Sequence, residues 1–270
     1  MTRSRTIFDV GLHKGEDAEF YLRKGFRVVG IDANADMCAA ASERLAEFIA
    51  SGDLVILNLA IAERPGQIPF YKNADSTWGT ASPRWAERNE RFGFPTTEET
   101  LVEAVPLAAI VEEYGEPYYI KIDIEGLDLV ALKSLAQCSS RPKYISIESD
   151  KTSLAALREE FRVFQQLGYD RFKVVPQHEV PRQKPPSIPA EGNYVDHVFK
   201  WGSSGLFGEE APGSWISADE AIETYKRAFL KYQLWGDDPL IRSRGLQALL
   251  RRLFGQAGWH DTHARLSGAG

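Results

Sequence analysis

The chain is short of cysteine and of long apolar runs, and it has no excess of positive charge. Two cysteines in 270 residues, Cys38 and Cys138, make no disulfide framework. Cys38 falls in a helical pattern, where a small buried thiol is ordinary. No window approaches 18 unbroken apolar residues, so no transmembrane helix is expected. Lys and Arg number 32 against 38 Asp and Glu, a net charge of −6. That balance excludes a general nucleic-acid binder, although a local basic face stays open. There is no internal repeat, no low-complexity tract, no serine-hydrolase elbow and no phosphate-binding P-loop. Met-Thr-Arg-Ser-Arg at the start runs straight into strand-like sequence, which leaves no room for a signal peptide. The expected location is cytoplasmic.

What is present is a long alternation. At 43% hydrophobic and 26% charged, the composition is that of a globular chain able to bury a sizeable core. β-Branched apolar runs predict strands at Thr6–Val10, Arg27–Ile31, Leu54–Leu59, Tyr118–Ile122, Tyr144–Ile147, Arg171–Val175 and Tyr194–Lys200. Helical patterns fall at Asp17–Lys24, Ala35–Ile49, Leu107–Tyr114, Leu127–Leu135 and Ser153–Gly168. Strands alternating with helices imply an α/β fold, a mostly parallel sheet with helices on both faces. Residues 74–105 break the rhythm and read as a functional loop or lid. Gln177 to Gly192 is proline-rich and reads as an extended connector. Beyond it, Ser217-x-x-Glu220 is a capping box that opens a helix to about Gln233. A second, basic amphipathic helix covers roughly Pro239–Phe254. It suits a membrane surface, an acidic partner or a solvated outer face.

The start of the alternation carries the chemistry. Strand 1 ends in Asp9-Val-Gly11-x-x-x-Gly15, and strand 2 ends in Asp32. A dinucleotide fingerprint has three glycines, to bring the backbone against a pyrophosphate. Here there are two, with an acid before the first. A carboxylate in the turn repels phosphate and suits a cation such as the sulfonium and ammonium of S-adenosylmethionine. Asp32 lies where a carboxylate accepts both ribose hydroxyls. The structural alternative is that Asp9 and Asp32 only cap helices.

Farther along, Lys121-Ile-Asp123-Ile-Glu125-Gly126 follows on a strand, and Asn58-Leu-Ala60-Ile61 follows strand 3. With the glycine turn and Gly66, which precedes a short apolar hairpin, these stretches resemble the FkbM family of S-adenosylmethionine-dependent methyltransferases. The likeness covers roughly residues 6 to 175. It implies a class I, Rossmann-like fold with a seven-stranded sheet whose last strand is antiparallel. It also implies methyl transfer to a hydroxyl of a sugar, glycan or secondary metabolite. On the resemblance, Asp9, Gly11 and Gly15 line the methionine end, Asp32 the ribose, and Asn58 and Ala60 the adenine, with Asp123 also facing the cofactor. Residues 1–202 would form the methyltransferase domain, with 203–270 a helical extension packed on it. The chain departs from the family at Leu12-His13-Lys14, where a small residue and Asn are usual, and at Asp32-Ala33, where Glu-Pro is usual. Lys14 must point away from the sulfonium.

Removing a hydroxyl proton calls for a general base or a metal. The candidate catalytic residues are His197, Asp123 and His13. Asp123, Glu148 and Asp150 at two strand ends are candidate ligands for a divalent cation such as Mg²⁺, the alternative being helix capping. Trp259-His260-Asp-Thr-His263 is a weak zinc pattern. Acceptor binding is assigned to Ser76, Trp78, Trp85, Ser203 and Ser204, with small molecules or glycans as partners. A homo-oligomer stays open. The competing functional readings are an NAD-dependent oxidoreductase and a non-catalytic adenosine-cofactor-binding interaction protein.

Overall fold

The computed structural model describes residues 5–149, 153–235, 240–241, 243–255 and 258–267. Among the described residues ten strands run in chain order. They are β1 (Thr6–Val10), β2 (Arg27–Asp32), β3 (Leu54–Asn58), β4 (Ala60–Ile61), β5 (Gly66–Asn73), β6 (Thr96–Val105), β7 (Tyr119–Ile122), β8 (Tyr144–Glu148), β9 (Tyr169–Pro176) and β10 (His260–Leu266). The helices are α1 (Glu16–Arg23), α2 (Ala35–Arg44), α3 (Ala46–Ser51), α4 (Pro83–Arg91), α5 (Leu107–Tyr114), α6 (Asp128–Ser134), α7 (Leu154–Gln166), α8 (Ala218–Trp235) and α9 (Arg244–Phe254). The strand order of the larger sheet is β3-β2-β1-β7-β8-β10-β9, and β4-β6-β5 form a small second sheet. The α/β class and the mostly parallel seven-stranded sheet agree with the sequence.

Two compact units make up the chain, Met1–Ile147 with Pro185–His197, and Glu148–Lys184 with Val198–Gly270. In the first, β1 pairs in parallel with β2 and β7, and β7 with β8. The runs Ile7-Phe8 and Tyr119-Ile120 are fully buried, as expected of parallel strands covered on both faces. Gly15 opens α1 in a left-handed conformation, and Glu16, Asp17 and Glu19 in its first turn suit the helix dipole. Asn34 caps α2, its side chain accepting from the Asp36 N–H. One helix was expected over Ala35–Ile49. It breaks at Leu45, which is buried at 1% exposure while closing α2 and opening α3. The segment that interrupts the alternation is partly sheet. β6 returns antiparallel to β5, pairing Gly66 with Ala104 through Asn73 with Thr96. This leaves Ala74 to Pro95 as the true excursion.

In the second unit, β9 and β10 pair antiparallel. Phe161 of α7 packs edge-on against Phe172 and Tyr225, and Thr262 bonds the hydroxyls of Ser149 (2.6 Å) and Tyr225 (2.7 Å). The capping box holds: the Glu220 carboxylate accepts from the Ser217 N–H at 2.8 Å. The expected strand at Tyr194–Lys200 is not one. Its alternation is genuine, but Tyr194 and Val198 are exposed and the backbone is irregular. The antiparallel strand is β10, which is rich in polar residues and so carries no apolar signal. Asp261 and Thr262 are buried there by bonding Gln177 and Ser149.

Candidate active site

Lys121 is the hub of the strand ends. Register places it directly beside Asp9 on the neighbouring strand. Its Nζ lies 3.0 Å from Asp9, 3.6 Å from Asp17 and 3.9 Å from Asp123, and it donates to the Gly11 carbonyl at 2.9 Å. Asp9 is fully buried. Burial pushes its carboxyl up to about 7, against the pull of Lys121 and with the help of Asp17 and Asp123. Burial works against the Lys121 ammonium, but the three carboxylates reverse that and hold it charged. Asp9 therefore does not attract a cation alone, as its place in the turn suggests. Asp9 is already paired, and the attraction belongs to a set of three carboxylates sharing one ammonium. Asp9 Oδ2 is buried with no hydrogen-bond partner among the described residues.

The turn above this cluster is shaped by glycine. Gly11 has φ 92°, and a Cβ there would fall inside the Asp123 carbonyl. Gly15 has φ 76°, and a Cβ would meet Leu45 Cδ1 at 2.7 Å. His13 holds φ 50°, a left-handed conformation uncommon outside glycine and frequent at functional sites. Lys14 is exposed.

Asp32 sits at the tip of β2 with both oxygens in use. Oδ2 accepts from the His13 N–H at 2.7 Å and Oδ1 from the Asn34 N–H at 2.8 Å. Burial raises its carboxyl, and those two donors oppose the rise. Each oxygen keeps a lone pair for a further donor. Asn58 donates from Nδ2 to the carbonyls of Asp32 and Ala33, so it fastens the Asp32 turn. Ala60 is buried in β4 opposite Ala104.

The excursion after β5 meets this turn. Ser76 Oγ lies 2.8 Å from His13 Nε2, while His13 Nδ1 lies 3.4 Å from Glu16. Burial would raise Glu16, but His13, its own backbone N–H and Arg44 hold it down at about 2. Thr80 donates to the Glu125 carbonyl at 2.7 Å, and Trp85 lies against Gly126, where a Cβ would enter the indole. Trp78 stacks on Phe94 at 4.2 Å, and the Arg88 guanidinium lies 4.6 Å from the Trp85 ring centre. Asp128 accepts from the N–H groups of Ile124 and Gly126. Burial and Asp123 push it up to about 7. The structure thus joins Asp9, Gly11, His13, Gly15, Asp32, Asp123, Ser76 and Trp85 around one set of strand ends.

The remaining candidates have the following surroundings. His197 packs on Phe20 of α1, ring centres 4.9 Å apart, and burial lowers its pKa. Ser203 and Ser204 are buried in the second unit. Asp150 lies outside the described residues. Among the described residues no three His, Cys, Asp or Glu side chains converge as a cation would need. The expected Mg²⁺ site at Asp123, Glu148 and Asp150 thus finds no support, and at Asp123 the nearby cation is Lys121. His260 and His263 are three apart on β10, so the strand turns them to opposite faces. Glu16 and Asp17 belong to the site without having been singled out from the sequence, where Lys121 carries the family resemblance but no role of its own. The signal for Lys121 was a charge in the middle of an otherwise apolar strand.

These residues fit S-adenosylmethionine. Excess carboxylate faces a cationic donor, Asp9 Oδ2 is an unpartnered buried acceptor, and Asp32 offers free lone pairs. Among solved structures the chain is similar to the StiE O-MT (8% identity, 98% of this chain and 68% of that chain, TM-score 0.41). It is also similar to a TehB-like SAM-dependent methyltransferase from Corynebacterium glutamicum (9%, 65% and 71%, 0.35). A third similar structure is precorrin-6y C5,15-methyltransferase from Geobacter metallireducens (10%, 65% and 69%, 0.36). No curated protein matches. A family model described as the methyltransferase FkbM domain matches residues 9–171. The chain belongs to the FkbM family of S-adenosylmethionine-dependent methyltransferases.

Proposed function

We propose that this methyltransferase acts on oxygen, transferring the methyl group to a hydroxyl of a sugar, a glycan or a secondary metabolite. His13 serves as the general base. When bound, S-adenosylmethionine supplies an activated methyl group. Asp32 would hold its ribose, and the Gly11–Gly15 turn with the Asp9–Lys121 cluster its methionine end. The match to the FkbM model over residues 9–171 sets aside the oxidoreductase alternative. The protein is proposed to work in the cytoplasm.

The observation that carries the oxygen acceptor is the His13 arrangement. Glu16 lies at one ring nitrogen and a hydroxyl, that of Ser76, already sits 2.8 Å from the other. Held this way, the imidazole presents Nε2 to a hydroxyl while Glu16 steadies the ring from the Nδ1 side. An acceptor hydroxyl that displaces or joins Ser76 Oγ meets the same geometry. Trp78, Trp85 and Ser76 supply the aromatic faces and hydroxyl that suit a polyol. Asp123, side chain one-third exposed, stands beside Lys121 at the same edge.

The test is methyl transfer from labelled donor to hydroxylated, amine and carboxylate acceptors, followed by mass, with and without EDTA. A gain of one methyl on a hydroxyl is expected. His13→Ala should lower kcat by about 10²-fold or more, with donor affinity kept and the Ser76→Ala variant active. Transfer confined to nitrogen or carboxylate acceptors would refute the reading. So would an unchanged kcat in His13→Ala alongside a collapse in His197→Ala.

A further inference from the structure

We propose that the α8–α9 pair is a docking surface for an anionic phospholipid bilayer. Both helices belong to the second unit. Ser243 caps α9, accepting from the Leu246 N–H. On the wheel of α9, Leu246, Leu249 and Leu253 form one stripe, spaced three and four apart. Arg244 and Arg251 fall on the opposite side, and Arg252, three residues from Leu249, borders the stripe. A helix with a solvated outer face would turn its polar side out and its leucines in. Here the stripe is exposed, Leu246 by 44%, Leu249 by 51% and Leu253 by 63%, together with Arg244, Arg251 and Arg252. The orientation is pinned. Arg251 donates to the Trp235 carbonyl at 3.0 Å, and Gln247 to the Ile241 carbonyl at 2.6 Å. Leu230 of α8 and Leu240 add exposed apolar surface.

Charge selects the occupant. Ala218 to Phe254 holds seven basic residues and five acidic ones, and Lys226 is paired with Glu223 at 2.6 Å, so the basic excess lies on α9. α9 itself has no acid. A second copy docked face to face would set this basic segment against itself. An anionic bilayer meets both halves of the surface. Leucines enter the acyl boundary while guanidinium groups stay with the phosphates. At 11 residues α9 is far too short to span a bilayer, and no described helix is long and apolar enough to cross one. It would lie in the plane.

The test uses the full chain in flotation with phosphatidylcholine vesicles, with and without phosphatidylglycerol, at low and high salt. Binding to the anionic vesicles that weakens with salt is expected. Leu249→Glu with Leu253→Glu, and separately Arg244→Glu with Arg252→Glu, should each weaken partition by about tenfold or more, melting temperature unchanged. Unaltered binding by either pair would overturn the proposal, as would failure of the folded wild type to bind. Concentration-dependent dimers abolished by the leucine pair without lipid would assign the face to a second copy instead. Capture of acidic protein without vesicle binding would assign it to a protein partner.

Discussion

Replacing Lys121 with Met tests the buried hub. Asp9 is fully buried, and Asp17 and Lys121 are each about 5% exposed. Met fills a similar volume but leaves these carboxylates without their ammonium. Removing one partner of a buried pair costs roughly 3–5 kcal/mol. For a chain of this size that is roughly 6–20 °C in melting temperature. The loss depends on pH, and its sign follows from Asp9. Its folded carboxyl is raised, from an ordinary 3.8 to about 7, so it binds a proton more tightly folded than unfolded. Its stability contribution is full below the unfolded value and is lost as pH rises through the folded one. Without Lys121, which pulls that value down, the folded carboxyl rises further and the window widens upward. The penalty of Lys121→Met is therefore expected to be small near about pH 5 and to grow toward about pH 8. Adding Asp9→Asn should recover part of it. Thermal unfolding across pH, with calorimetry on wild type and both variants, reads all three effects. A loss under about 1 kcal/mol, or one constant across that range, would refute a compensated buried cluster.

Backbone geometry supports further predictions. Gly11→Ala must move the turn off the Asp123 carbonyl and adopt an unfavourable φ, which alone costs about 1–2 kcal/mol. Titration should show donor binding lost or strongly weakened. Gly126→Ala drives a methyl into Trp85. Undocking that excursion should raise KM for the acceptor severalfold more than Kd for the donor, and steady-state kinetics beside titration separate the two. Tyr225→Phe removes the hydroxyl that meets Thr262 at 2.7 Å, so about 0.5–1.5 kcal/mol of stability should go in chemical unfolding, with methyl transfer unchanged.

The parallel half of the fold was legible because its strands are buried on both faces and so read as apolar runs, as in β1 and β7. β10 was not legible. His260-Asp-Thr-His-Ala-Arg-Leu266 has no apolar alternation, and its burial depends on partners far off in sequence, such as Ser149 and Gln177. Tyr194–Lys200 failed for the opposite reason: its alternation is clear, yet the backbone there is irregular. At the site, glycine spacing and terminal acids located the turn, because conformational need and strand ends are local properties. The pairing of Asp9 with Lys121 requires knowing that β1 lies beside β7, which spacing of 112 residues does not tell. The contact of His13 with Ser76 depends in the same way on the excursion folding back.

The central claim is that the turn and Asp32 hold S-adenosylmethionine. The most direct measurement is calorimetric titration of S-adenosylmethionine and, separately, NAD into wild type and Asp32→Asn. Saturable binding of the methyl donor, and none of NAD, is expected for wild type. Asp32→Asn keeps one acceptor oxygen but loses the charge and the other. Its Kd should rise roughly 10- to 150-fold, the equivalent of one charge-assisted hydrogen bond at about 1.5–3 kcal/mol. Binding of NAD in place of the donor, or an Asp32→Asn affinity equal to wild type, would contradict the claim.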